Sequence, residues 1–388
     1  MNLSFGMDLE WNAVRRQRLW RHSLLERAPA GGLLDVVRQT CGIHAQLMTA
    51  AEMSLGVRVD VTRRDIRAAL WQERRLVKTY GIRGTIHLFA ADELPLWMAA
   101  SHARHANAGQ AEGRRLGALG LTPDQVRALV EAMGEALDGQ VLTLRELGEE
   151  VVRRTGPWAA ESRNDAWISG WPIWRTALGS AATAGVLCFG PNRGNEVSFV
   201  RPDQWFGPWQ PVDPDIALQE VFRRFLRAYG PATHINFADW FSIPRPAARR
   251  LAGSLGDEVV EVRVEGKPLL KLASDSLLAP PSGASLRLLP HFDCYLRGFH
   301  PRQELAAGYE ERAAGGTGRV PILLIDGVVA GVWERRPRGP RVEVRVEPFR
   351  RLTTQLRREL EREVERVGAV MGADAQLVLG EVHLRPHL

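Results

Sequence analysis

The sequence predicts an α+β protein in which one order of elements occurs three times and a strand-rich segment follows. Three observations carry this. Apolar residues recur at helical spacing in several runs before residue 284. Each group of such runs is followed by two short strand-like runs joined by a turn, and helices followed by a hairpin are the order of a winged helix. From about residue 284 strand-like runs dominate, with one amphipathic helix among them. The expected organisation is three tandem winged-helix motifs and a C-terminal β-rich, barrel-like domain, divided as 1–121, 122–210, 211–283 and 284–388.

The elements follow in order. Residues 11–28 place Val14, Leu19, Leu24 and Leu25 against Arg15, Arg16, Arg18 and Arg21, an amphipathic helix broken by Pro29-Ala30-Gly31-Gly32. Helices are expected over 33–41, 47–58 and 62–72, the last capped by Thr62 with Asp65 in its first turn. Residues 76–81 and 85–89 read as strands, and 91–112 as a helical linker. The second occurrence opens at Thr122-Pro123, an N-cap followed by proline at the first helical position. Thr143 and Glu146 form a capping box, and a third helix is expected over 164–184. Strands at 186–189 and 196–200 flank the loop 190–195. The third occurrence has helices near 214–228, 232–241 and 246–253 and strands near 258–264 and 268–272. The three share a pattern without identical letters.

In the last segment, strands are expected at 285–289, 320–325, 328–333, 342–346 and 376–383, with a helix over 351–368. Asp326-Gly327 is a strong hairpin signal. Gly315-Gly316-Thr317-Gly318 reads as a loop. The Arg-rich stretch Trp333 to Arg341 reads as a protruding hairpin tip whose arginines repel one another unless an anion is near.

Composition narrows the class. With 388 residues and 45% hydrophobic content the chain can bury large cores, and a net charge of +6 favours an anionic partner. The basic residues are almost all arginine, which suits bidentate phosphate contacts. Genome composition explains the same excess. Cys41, Cys188 and Cys294 lie far apart, so neither a zinc site nor a disulfide framework is indicated, and free thiols fit a reducing cytoplasm. No apolar run reaches membrane-spanning length. His102-x-x-His105 lacks a third ligand nearby, so no metal or cofactor is expected.

One stretch carries candidate chemistry: Cys41-Gly42-Ile43-His44-Ala45-Gln46-Leu47. Gly42 can end the preceding helix, and on an extended segment His44 and Gln46 point to one face. An imidazole and a carboxamide there either satisfy buried backbone groups or hold a single water. Asp293, set among apolar and aromatic residues, needs a partner, and Arg297 is the nearest candidate in sequence.

Trp11-Asn12-x-x-Arg15 with Arg18-Leu19, Gly42-x-His44-Ala45-Gln46, and Lys78-Thr79-Tyr80-Gly81-x-Arg83-Gly84-Thr85-x-His87 together resemble the N-terminal half of the AlkZ and YcaQ (AlkX) DNA glycosylases. Tyr229-Gly230-Pro231-Ala232-Thr233 with Trp240, and Leu289-Pro290-x-Phe292-Asp293-x-Tyr295-x-x-Gly298, resemble later parts of the same family, in the family's order. The resemblance implies stacked winged-helix motifs and removal of alkylated purines. The family's catalytic pair is Gln-x-Gln in one branch and Gln-x-Asp in the other, and the aligned pair here is His44-x-Gln46.

The expectation is thus a monofunctional hydrolase of the N-glycosidic bond of N7- or N3-alkylated purines in double-stranded DNA, with His44 and Gln46 catalytic. A bulky N7-guanine adduct is the expected lesion ahead of an interstrand crosslink. A winged-helix transcriptional regulator without catalysis is the alternative. The three lysines, Lys78, Lys267 and Lys271, lie away from the motif, so a Schiff-base step is not suggested. The expected DNA contacts are Arg58, Lys78, Arg83, His87, Arg193, Asp293, Arg297, Arg302, Arg335, Arg336 and Arg338. A cytoplasmic monomer is expected.

Overall fold

The computed structural model describes residues 8–109, 117, 120–163, 170–276, 283–313, 318–339 and 341–383. Expectations at 110–112, at 164–169, in the 315–317 loop and at Pro340 lie outside these residues. Helices and sheets alternate as an α+β protein. The chain divides into two compact units: Met1–Ala68, Phe222–Trp240 and Ala248–Leu388 form one, and Ala69–Val221 with Phe241–Ala247 form the other.

In the first unit, helix Trp11–Arg21 ends earlier than its periodicity suggests. Ser23 adopts φ +52°, and the Leu24 N–H donates to Leu19 O at 2.8 Å, closing a left-handed C-terminal turn. Helices Leu33–Gln39 and Met48–Gly56 follow. Gly56 is where helix Met48–Gly56 meets helix Thr354–Met371; a Cβ there would stand 2.2 Å from Val370. Five strands form an open sheet in the order Leu286–Leu289, Ile322–Ile325, Val328–Arg338, Arg341–Pro348, Asp374–Leu379. The last pairing is parallel, and helix Thr354–Met371 makes the crossover it needs. Asp326 and Gly327 take φ +50° and +80°, the turn their sequence announces.

The resemblance motifs other than the one at residues 78–87 lie in this unit, and several meet in its core. The Tyr229 hydroxyl donates within reach of Thr40 O at 3.1 Å and Cys294 O at 3.3 Å. Its ring lies where a Cβ on Gly298 would come within 2.1 Å, so only glycine fits there. Buried Arg18 donates to His300 O and Pro231 O, each at 2.8 Å, with its guanidinium 4.7 Å from the Phe299 ring. Phe222, Phe225, Phe237 and Trp240 complete an aromatic cluster with Tyr229.

In the second unit, Leu76–Tyr80 and Ile86–Ala90 form an antiparallel hairpin. The expected N-cap at Thr122 is present and forms a capping box with Gln125, and the expected capping box of Thr143 with Glu146 is present. Trp174 packs on Gly148, where a Cβ would come within 2.8 Å. Where a single helix was expected over 164–184, the described part holds strand Trp171–Pro172, a 3-10 turn Ile173–Ala177 and a short helix Leu178–Thr183. The first of these pairs with Ser162–Arg163. Strands Cys188–Arg193 and Glu196–Val200 run into the expected loop and turn at Gly194.

Candidate DNA-facing site in the first unit

Helix Leu33–Gln39 closes with the Gly42 N–H on Val37 O at 2.8 Å and the Cys41 N–H on Arg38 O at 3.1 Å. Cys41, at φ +60°, takes the left-handed position that usually falls to glycine, and Gly42 at φ +88° turns the chain into strand Ile43–His44. His44 is buried at 7% exposure. Gln46 is exposed in the bend that leads into helix Met48–Gly56. The two side chains therefore span the boundary between interior and solvent.

Phe292 lies over His44, with ring centroids 4.9 Å apart and planes at 40°. The next residue, Asp293, is 1% exposed. Its carboxylate accepts from Arg58 at 2.7 and 2.8 Å and from the Ser54 hydroxyl at 2.6 Å. It also caps helix Cys294–Gly298 by accepting from the Tyr295 N–H at 3.0 Å. Burial is the largest influence on Arg58 and opposes its charge, but Asp293 together with Cys294 and Tyr229 raises the guanidinium pKa. Ser54 lies on the helix that follows the His44 segment and Arg58 just beyond its end, so this ion pair joins the two motif stretches.

A cleft of about 860 Å³ opens beside Leu47. Its lining includes Thr49 and Met53, Pro290 and His291, and Trp333, Arg335, Arg336 and Met371. Glu52, on the helix of Thr49 and Met53, is 3% exposed. It accepts from Arg67 Nε at 2.6 Å and stands 3.9 Å from Arg63 Nε. Burial and then Arg63 lower the Arg335 pKa, while Glu52 opposes them. One buried carboxylate thus pairs with Arg67 and lies near Arg63, on the helix that carries Thr49 and Met53. Sequence reading missed Arg63 and Arg67; their i, i+4 spacing on helix Arg63–Trp71 was the available signal.

Several expected DNA contacts lie wholly or partly inside the unit. Arg58 and Asp293 are interior and bonded to each other. Arg58, 235 residues away in sequence, is the partner of Asp293, in place of the neighbouring Arg297. Arg297 has its pKa lowered by burial and by Arg319. Arg302 donates to the carbonyls of Leu296 and Arg297, and burial lowers its pKa to about 10. The Arg-rich stretch is strand on both sides of Gly339, so Arg335, Arg336 and Arg338 lie on Val328–Arg338. The expected uncompensated repulsion is relieved: Arg336 pairs with Glu334 at 2.7 Å and Arg338 with Glu343 at 3.4 Å.

The remaining expected contacts belong to the second unit. His87 is 3% exposed, with Nδ1 3.0 Å from Thr85 O and its ring stacked on Phe89 within the hairpin. Lys78 Nζ lies 4.7 Å from the Phe189 ring. Arg83 sits in the turn at φ +58°. Arg193 makes a two-pronged pair with Glu146, both bonds at 2.8 Å.

Comparison with known proteins fits this arrangement. A family profile for AlkZ-like DNA glycosylases matches residues 37–370. An interstrand DNA cross-link repair glycosylase from Streptomyces sahachiroi is 35% identical over 339 residues, covering 84% of this chain and 88% of the relative. The solved structure of the Streptomyces sahachiroi DNA glycosylase AlkZ superposes with a TM-score of 0.78 at 30% identity, covering 96% of this chain and all of that one. The chain belongs to the AlkZ-like DNA glycosylases.

Proposed function

We propose that this DNA glycosylase hydrolyses the N-glycosidic bond of N7- or N3-alkylated purines in duplex DNA. The observation that carries the reading is the pair itself: buried His44 and exposed Gln46 beside an arginine-lined cleft. Alkylation at N7 makes the purine a cationic, good leaving group, so departure needs little acid catalysis. What the reaction requires is a positioned water and stabilisation of positive charge developing on the sugar. In this reading the Gln46 amide oxygen orients the water and His44 accepts its proton. Oxygen bonds to the anomeric carbon, the C–N bond breaks, and its electrons leave with the neutral alkylpurine. Arg335 and Arg336 hold the backbone across the cleft, with Arg63 and Arg67 beside them.

The test is release of 7-methylguanine from methylated duplex DNA under single-turnover conditions. Gln46→Ala and His44→Ala are expected to fall about 100-fold or more. Parent-like rates in both variants would remove the pair from the mechanism. A second reading, unhooking of interstrand crosslinks, is favoured by the relative at 35% identity, an interstrand DNA cross-link repair glycosylase. A substrate panel of methyl, bulky and crosslinked N7-guanine separates the two: crosslinks as the fastest substrate would reverse the preference for single-strand adducts.

A further inference from the structure

We infer that Phe292 is a positioning residue for His44, held on the imidazole by the buried Asp293–Arg58–Ser54 lock. The inference rests on the proposed catalytic role of His44. It starts from a strained backbone: Phe292 adopts φ +57°. Bulky side chains avoid that region, and glycine or asparagine takes it readily. Such strain persists where the surroundings over-determine it, and it collects at functional sites. Here the surroundings are explicit. The Phe292 N–H donates to Gly318 O at 2.6 Å. A Cβ on Gly318 would stand 3.4 Å from Phe292 Cα, so the two backbones run in close contact. On the other side, Asp293 is fixed by four donated bonds from Arg58, Ser54 and the Tyr295 N–H.

The strained backbone holds the ring of Phe292 against His44, centroids 4.9 Å apart and planes tilted by 40°. Rotation of an imidazole about its last side-chain torsion is soft and roughly two-fold. An aromatic face laid against it selects one plane, which directs the ring nitrogens. Ser54 lies on the helix that follows the His44 segment and Arg58 just past its end, so the lock references Phe292 to the same stretch of chain that carries His44 and Gln46. The Phe292-Asp293 pair thus works as a unit: the carboxylate anchors and the ring orients.

The experiment uses the full-length protein carrying Phe292→Leu, Phe292→Gly and Phe292→Tyr. Three quantities are measured: affinity for methylated duplex, single-turnover release of 7-methylguanine, and the His44 ring-proton shifts in histidine-labelled protein. The expected result is unchanged affinity with excision about 10- to 100-fold slower in the Leu and Gly variants, the scale of a small misplacement of a catalytic group. The His44 ring protons lose their ring-current shift, and Phe292→Tyr restores both rate and shift. Phe292→Gly removes the backbone strain, and a thermal melt of each variant separates loss of rate from loss of fold. Parent-like excision by the Leu and Gly variants overturns the positioning role alone. A parent that releases no base overturns the proposed function and this role together.

Discussion

At the residue scale, the centre of the first unit is a fully buried carboxylate–guanidinium pair. Removing one partner leaves an uncompensated interior charge, which costs about 3–5 kcal/mol. Asp293→Ala is therefore expected to destabilise by about that much in urea unfolding. Replacing both, as Asp293→Leu with Arg58→Met, is expected to cost less than either single change, because no orphaned charge remains. A second buried group gives a pH signature. Burial, then the Arg58 charge, hold the His22 imidazole well below its ordinary 6.5. Arg18 and Arg21 add to the effect. The folded chain keeps His22 neutral while the unfolded chain protonates it below that value. Stability is thus fully present above pH 6.5 and is lost as pH falls below it, by about 1.4 kcal/mol per pH unit. His22→Gln is expected to flatten this acid limb; an unchanged limb would assign it to other groups. The Asp293–Arg58 pairing left no trace in the sequence, because its partners are 235 residues apart and sequence signals report near neighbours. The His44–Gln46 stretch was legible from its composition, but the ring laid on His44 was not.

At the element scale, local chemistry was legible where it is self-contained. The capping boxes at Thr122 and Thr143 and the Asp326-Gly327 turn form as their residues dictate. Helix ends were less readable. The chain stops two helices with Ser23 and Cys41 in the left-handed position, neither of them the glycine or asparagine that marks such a stop. The strand past Trp333 was hidden because its arginines and Pro337 look like a loop. Their pairing depends on Arg341–Pro348 across the turn. That hairpin carries Arg335, Arg336 and Arg338 with Glu334 and Glu343 between them. Changing the three arginines together to Ala is expected to weaken binding to DNA of any sequence and to shallow its salt dependence, while thermal stability holds. Binding and excision equal to the parent at moderate salt would show that this hairpin stands off the duplex.

At the scale of the whole molecule, the +6 charge is carried almost wholly by arginine. If about six of these meet phosphate, log affinity should fall with log salt at a slope of about −5. A nearly flat dependence would assign the arginine excess to composition alone. The contact pattern also bears on how the protein is made. The unit that holds His44 is assembled from three separated stretches, Met1–Ala68, Phe222–Trp240 and Ala248–Leu388, with most of another unit encoded between them. A ribosome therefore delivers the His44–Gln46 segment early and Phe292, Asp293 and the arginine hairpin late. Long-range closure of this kind is slow, and domains fold as units in the order of synthesis. The growing chain accordingly carries His44 and Gln46 without Phe292, Asp293 and the arginine hairpin until the last quarter emerges.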